Sequence, residues 1–167
     1  MKKLWAPWRM LYILHADNTA ETGCIFCTLP KDEDMAKNYV LYKGSRCFVM
    51  LNKFPYNTGH IMVAPYAHKD SIEKLDKQES EELMDLVQKS VEILRKAFSP
   101  QGFNIGINIG RVAGAGFDGH VHVHIVPRWN GDTNFMPILA DVKVVPEGLD
   151  ETYRRLRPYF EKLEARK

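Results

Sequence analysis

Gly119-His120-Val121-His122-Val123-His124-Ile125-Val126-Pro127-Arg128 decides how the rest of the chain is read. Three histidines alternate with β-branched residues, a period-2 pattern that predicts a strand. Successive side chains on a strand point to opposite faces, so His120, His122 and His124 share one face and Val121, Val123 and Ile125 the other. An isolated histidine in a strand is ordinarily a satisfied core or surface residue. Three in register carry a desolvation cost that a purely structural strand has no reason to bear, and clustered titratable groups mark sites.

Two chemistries can use such a face. In one, the histidines ligate a metal, an arrangement that normally recruits a carboxylate or a further histidine close downstream. Here the strand runs into Ile125-Val126-Pro127-Arg128, and the next acid is Asp132. In the other, a neutral imidazole attacks phosphorus while its neighbours hold charged oxygens and protonate the leaving group. That chemistry needs a phosphate cradle, and Asn108-Ile109-Gly110-Arg111-Val112-Ala113-Gly114-Ala115-Gly116-Phe117-Asp118-Gly119 lies directly upstream. Glycines adopt positive φ and let backbone N–H groups approach an anion closely. A non-catalytic nucleotide-binding module with the same pocket is a third reading.

Asn108-x-Gly110, the small-residue loop and His120-x-His122-x-His124-x-x-Pro127-Arg128 resemble the histidine triad (HIT) family of nucleotidyl hydrolases and transferases, over roughly Cys24 to Arg128. The ends, Leu4-Trp5-Ala6-Pro7-Trp8-Arg9-Met10-Leu11-Tyr12-Ile13 and Pro127-Arg128-Trp129 with Gly131-Asp132-x-Asn134-Phe135, are similar to the branch that includes bacterial diadenosine tetraphosphate phosphorylases. The resemblance implies that His122 attacks the α-phosphorus of a dinucleoside polyphosphate, with no cofactor needed for that step. The other ring nitrogen of His122 must then donate a hydrogen bond, to a backbone carbonyl, to fix the reactive tautomer. His120 and His124 flank it, orienting phosphate oxygens and supplying a proton to the departing nucleotide. Backbone N–H groups at Gly114, Ala115 and Gly116 stabilise charge on the equatorial oxygens. Asn108 and Asn52 position phosphate and ribose, and His60 lies near the triad. The nucleotidyl-imidazole is resolved by water or inorganic phosphate. Many family members carry glutamine or serine four residues before the first histidine, where this chain has Gly116; the room so left suits an incoming phosphate. A homodimer is the family expectation. An aromatic at Trp129 can stack on a base or anchor the tail.

Cys24-Ile25-Phe26-Cys27 admits a redox pair, a metal half-site or coincidence. The redox version prefers a helix N-terminus in a βαβ context, which the flanking pattern lacks. Metal binding needs two more ligands, and His68 and His120 are the candidates. Some HIT members hold a structural zinc on a C-x-x-C, a histidine after the third strand and the first triad histidine, and Cys24, Cys27, His68 and His120 match all four. If zinc takes His120, acid chemistry falls to His124. Cys47 sits in an apolar run and reads as core.

The bulk properties suit one α+β domain spanning 1–167, with a core at about 24–128. Apolar content of 45% and charged content of 26% describe an ordinary soluble protein. A net charge of +2 with no basic run gives no reason to expect nucleic acid as a partner, and no apolar stretch reaches the length of a membrane span. Met1-Lys2-Lys3-Leu4-Trp5 is not followed by a signal-peptide core, and three cysteines fit a reducing compartment; the expectation is cytoplasmic.

In chain order the pattern predicts strands at 39–42, 47–51, 60–64 and 103–109, and then the triad strand. An amphipathic helix lies between the third and fourth, opened by the capping box Asp76-Lys77-Gln78-Glu79 and stopped at Ser99-Pro100-Gln101-Gly102. Order βββαββ with short links predicts an antiparallel sheet of about five strands with helical cover. Val142 to Pro146 suggests an extension strand. From Asp150 a terminal helix carries Tyr153, Leu156, Phe160 and Leu163 on one side, with Pro158 expected to kink or restart it.

Overall fold

The computed structural model describes residues 23–132 and 147–165. The aromatic segment Leu4 to Ile13, the residues Asn134 and Phe135, and the extension strand expected at Val142 to Pro146 lie outside them.

Five strands, β1 (Val40–Lys43), β2 (Cys47–Leu51), β3 (Ile61–Pro65), β4 (Gly102–Ile107) and β5 (Val123–Arg128), form one antiparallel sheet in the order β1-β2-β3-β5-β4. The chain leaves β3 and crosses one face as helix α2 (Lys77–Phe98). It lays down β4 at the edge and returns as β5 between β3 and β4. A short helix α1 (Ile25–Thr28) precedes the sheet, and α3 (Leu149–Glu164) follows it.

Side-chain alternation sorts the core into two layers. Leu41, Val49, Leu51, Ile61, Val63, Val123 and Ile125 face Leu83, Leu86, Val87 and Leu94 of α2 and Leu156 and Phe160 of α3. Val40, Phe48, Met50, Met62 and Ala64 form the opposite layer with Phe26. Burying this much apolar side chain on both faces supplies the main drive for folding. No helix among the described residues is long and apolar enough to cross a membrane.

The capping box at α2 is present: Glu79 N–H donates to Asp76 and Asp76 N–H to the Glu79 carboxylate. One turn further, Glu82 clamps the β1–β2 hairpin, accepting from the backbone N–H groups of Ser45 (2.8 Å), Arg46 and Cys47 (3.1 Å). Gly44 is required there, because a Cβ would stand 2.6 Å from the backbone carbonyl oxygen of Cys47. Glu82→Ala removes a charged acceptor from three donors. The expected loss is ~2 kcal/mol, a melting temperature lower by about 4–8 °C in thermal unfolding.

Several boundaries differ from the sequence reading. Strand β4 ends at Ile107, so Asn108 lies just past it, and His60 precedes β3 instead of opening it. Helix α3 runs through Pro158 without a break. Pro158 and Arg154, whose carbonyl loses its helical donor, are both exposed, while Leu156 and Phe160 are buried. The lost bond lies on the solvent side, and burial of the apolar side carries the helix on. The last difference concerns the triad itself: β5 begins at Val123, so His124 is the only triad residue inside the strand.

Candidate active site

Bonds to the 65–69 segment and within the turn replace the sheet ladder ahead of β5, which is why the strand starts late. His120 Nε2–H donates to the Pro65 carbonyl (2.8 Å), and Val121 N–H donates to the Lys69 carbonyl (2.6 Å). His122 Nδ1–H donates to the His120 carbonyl (2.8 Å), the bond expected for a ring whose Nε2 must keep its lone pair. His124 is paired across the sheet with Met62 on β3 and Gly106 on β4. The rings remain neighbours, with His122 edge-on to His124 at 4.7 Å between centroids.

His60, buried just before β3, determines the tautomer of His124. Tyr56 N–H donates to His60 Nδ1 (3.0 Å), so the His60 proton is on Nε2, which donates to His124 Nδ1 (3.0 Å). His124 is thereby left with its proton on Nε2. Asn52 Nδ2 lies 3.4 Å from His60 Nδ1, and the Asn52 side-chain oxygen accepts from Phe54 N–H, fixing the turn that carries Tyr56. The Tyr56 ring, 41% exposed, stands 4.8 Å from His60 and 6.0 Å from His124, at the open side of the pair.

Burial holds His120 and His122 below the usual imidazole range, opposed in each by the hydrogen bond to a backbone carbonyl. Burial, then the neighbouring His122, pushes His124 down to about 4. All three rings are therefore neutral near pH 7, the form required of a nucleophile and of a metal ligand alike. The effect on stability has a definite sign. An unfolded histidine takes up its proton near pH ~6.5, whereas folded His124 stays neutral down to about 4. Stability is complete above the unfolded value and drains away as pH falls through that window. The melting temperature should fall between those two pH values, less steeply in His124→Asn; identical profiles would contradict the assignment.

Cys24, Cys27, His68 and His120 are brought together, their ligand atoms all within 4.8 Å of one another. His120 Nδ1 is 3.3 Å from Cys24 Sγ and 3.6 Å from Cys27 Sγ, and His68 Nδ1 is 3.3 Å from Cys27 Sγ. A tetrahedron with Zn–S of ~2.3 Å and Zn–N of ~2.0 Å spaces sulfur and nitrogen ~3.5 Å apart, so the donor set fits zinc. The Pro65 carbonyl supplies the outer hydrogen bond that turns His120 Nδ1 toward the sulfurs. Burial, then Cys27, pushes the Cys24 thiol up to about 11, and a divalent cation would reverse that by favouring thiolate. Among the described residues this is the one His/Cys/Asp/Glu group with metal-holding geometry. The three triad rings do not converge on a common point, since each commits a nitrogen in a different direction.

The loop before the triad is shaped by Gly110 (φ 79°) and Gly114 (φ 88°), which flank the turn Arg111–Ala113 in a conformation side chains disfavour. Arg111 Nε bonds Asp118 across its mouth at 3.0 Å. Ala115 is buried, while Asn108 and Gly116 are half-buried. Trp129 is not brought to the triad. It lies past the far end of β5, roughly 20 Å of extended chain from His122, in a turn closed by its own N–H on Asp132.

The sequence reading missed three contributors, Phe26 stacked on His122, Tyr56 over the His60–His124 pair, and the Lys69 carbonyl under Val121. The Phe-Pro-Tyr-Asn turn ahead of His60 was the one signal available for Tyr56.

The HIT domain model matches residues 33–131. The chain is 38% identical over 162 residues to the AP-4-A phosphorylase of Mycobacterium tuberculosis, an alignment covering 93% of this chain and 83% of that protein. It is 34% identical over 93 residues to the asymmetrical bis(5'-nucleosyl)-tetraphosphatase of Schizosaccharomyces pombe, covering 56% of this chain and 50% of the yeast enzyme. Among solved structures, the Zn-bound histidine triad family protein of Mycobacterium smegmatis superposes with a TM-score of 0.66 at 24% identity, covering 87% of this chain and 99% of that one. With its three histidines, their polar support and this breadth of match, the chain belongs to the histidine triad family.

Proposed function

We propose that the protein is a nucleotidyl-transferring enzyme acting on dinucleoside polyphosphates of the diadenosine tetraphosphate type, through a covalent intermediate on His122. The observation that carries this reading is the hydrogen bond from His122 Nδ1–H to the His120 carbonyl, which leaves Nε2 unprotonated in a neutral ring. The names of the mycobacterial phosphorylase and the yeast tetraphosphatase support the substrate class.

His122 Nε2 attacks the α-phosphorus, a P–N bond forms, and the bond from phosphorus to the bridging oxygen breaks. His124 donates from Nε2–H to the departing oxygen. That hydrogen bond offsets charge growing on the oxygen, and the polyanionic substrate raises the His124 pKa from about 4, which favours its imidazolium form. Loop N–H groups at Gly114, Ala115 and Gly116 take charge on the equatorial oxygens, and Asn108 and Asn52 orient phosphate and ribose. Phosphate or water then attacks phosphorus and releases the imidazole. With phosphate as acceptor the products of diadenosine tetraphosphate are ADP and ATP; with water they are AMP and ATP. We assign Trp129, at the far end of β5, to stacking on the second nucleoside.

The four-donor cluster is read as a structural zinc site, held by Cys24, Cys27, His68 and His120. Bound there, the metal supplies folding energy and no step of the reaction. We read 1–167 as one HIT domain working in the cytoplasm, with no part for a membrane or nucleic acid.

Edge strand β4 and α2 leave an apolar groove of about 780 Å³, lined by Ile72, Leu75, Met84, Val87 and Ile105. An open strand edge beside exposed Met84 and Ile105 invites pairing, and a second copy is the occupant we assign. Ile105→Lys should convert a dimer to a monomer by light scattering; an unchanged molar mass would remove β4 from the interface.

Product analysis tests the reading as a whole. Diadenosine tetraphosphate is supplied to the zinc-loaded protein, with and without inorganic phosphate. Phosphate-dependent ADP identifies a phosphorylase, AMP in either case a hydrolase, and binding without turnover a non-catalytic module.

A further inference from the structure

Phe26 lies between the two cysteines on α1, a helix of four residues. It is 1% exposed, and its ring lies on that of His122 with centroids 4.5 Å apart and planes 28° apart. It also stands 5.2 Å from His120, backed by Phe117 at 5.9 Å and Phe48 at 6.5 Å. A helix this short has almost no cooperative stability of its own. Its place depends on the burial of Phe26 and on whatever holds Cys24 and Cys27.

The bond from His122 Nδ1–H to the His120 carbonyl fixes the tautomer, yet one bond leaves the ring free to tilt about it. A second contact must set the plane. His124 meets His122 edge-on, at 73°, and Phe26 alone offers it a broad flat face among the described ring contacts. We propose that Phe26 is a positioning residue for the nucleophile. Carried by the two-cysteine turn, its ring fixes the plane of the His122 imidazole, so filling of the four-donor cluster and the aim of Nε2 are set together. This rests on His122 being the nucleophile. Misalignment of an attacking atom by about 1 Å costs ~10²-fold in rate, which sets the scale of the expected effect.

Phe26→Leu keeps an apolar side chain and loses the flat face, and Phe26→Tyr keeps both. In zinc-loaded full-length protein, Phe26→Leu should bind zinc as the wild type does. It should lower kcat on diadenosine tetraphosphate ~10–100-fold with KM within about twofold, while Phe26→Tyr should recover most of the loss. Stripping zinc should lower wild-type kcat toward that of Phe26→Leu and add little in Phe26→Leu itself. Nitrogen-15 histidine spectra should show one sharp His122 ring environment in the wild type and an exchange-broadened one in Phe26→Leu. An unchanged kcat, a loss that merely follows lost zinc, or an unchanged His122 spectrum in Phe26→Leu would overturn the proposal. Should the tyrosine variant not fold, the kcat-against-KM split and the spectra of Phe26→Leu decide. Absence of turnover in the wild type would instead defeat the nucleophile reading, and the spectra would still report on Phe26.

Discussion

His122→Ala should lower kcat on diadenosine tetraphosphate by ~10⁴-fold or more, the largest activity loss expected of any single substitution here. The reason is chemical. Without Nε2 no covalent intermediate forms, and the difficult displacement at phosphorus can no longer be split into two easier ones. Phosphate binding by the loop would survive, so residual binding of nucleotide is expected with KM little changed. His124→Asn should cost less, ~10²-fold, because the polyphosphate leaving group is a stable anion that needs only partial neutralisation. His122 is buried, stacked on Phe26 and bonded to the His120 carbonyl, so the alanine variant also opens a cavity. His122→Asn, which can keep the donor to that carbonyl, separates the two effects. If it retains zinc and a near-native melting temperature while turnover is lost, chemistry has been removed. If it keeps wild-type activity, His122 is no nucleophile.

Cys24→Ser should have the largest effect on stability. The four donors are drawn from α1, from the segment after β3 and from the approach to β5, so a metal among them ties together three stretches distant in sequence. Isolated zinc-binding peptides gain ~10–16 kcal/mol from such a site. Here the sheet already organises His120 through Pro65, and the expected contribution is a smaller ~3–5 kcal/mol, a melting temperature lower by roughly 10 °C or more. Chelation should lower the wild-type midpoint by a similar amount and leave Cys24→Ser where it is. A wild-type midpoint that chelation leaves unchanged, and that Cys24→Ser shares, would show that the thiols and imidazoles hold no ion.

The sheet was legible because its signals are local and repeated. Apolar runs bounded by turns gave β1 to β3, and the capping box and i, i+3, i+4 spacing gave α2. Histidine alternation pointed to the triad, and the C-x-x-C spacing with the family resemblance pointed to the four donors that the fold brings together. What escaped was set by tertiary bonds that leave no pattern in the chain. The late start of β5 comes from Lys69 and Pro65 carbonyls contributed by another part of the fold. The passage of α3 through Pro158 comes from burial of Leu156 and Phe160. Phe26 carries no signal of its own in the sequence, because nothing in a C-x-x-C spacing says what the intervening ring will touch. The tautomer relay from Tyr56 N–H through His60 to His124 likewise depends on a turn whose geometry only the folded chain supplies.

The most direct measurement is to quench wild-type protein in alkali during turnover of diadenosine tetraphosphate and locate the modified peptide by mass spectrometry. One adenylyl group on His122, absent in His122→Ala and discharged by added phosphate or water, is the predicted result. Turnover without any adduct, or an adduct on another residue, would contradict the account.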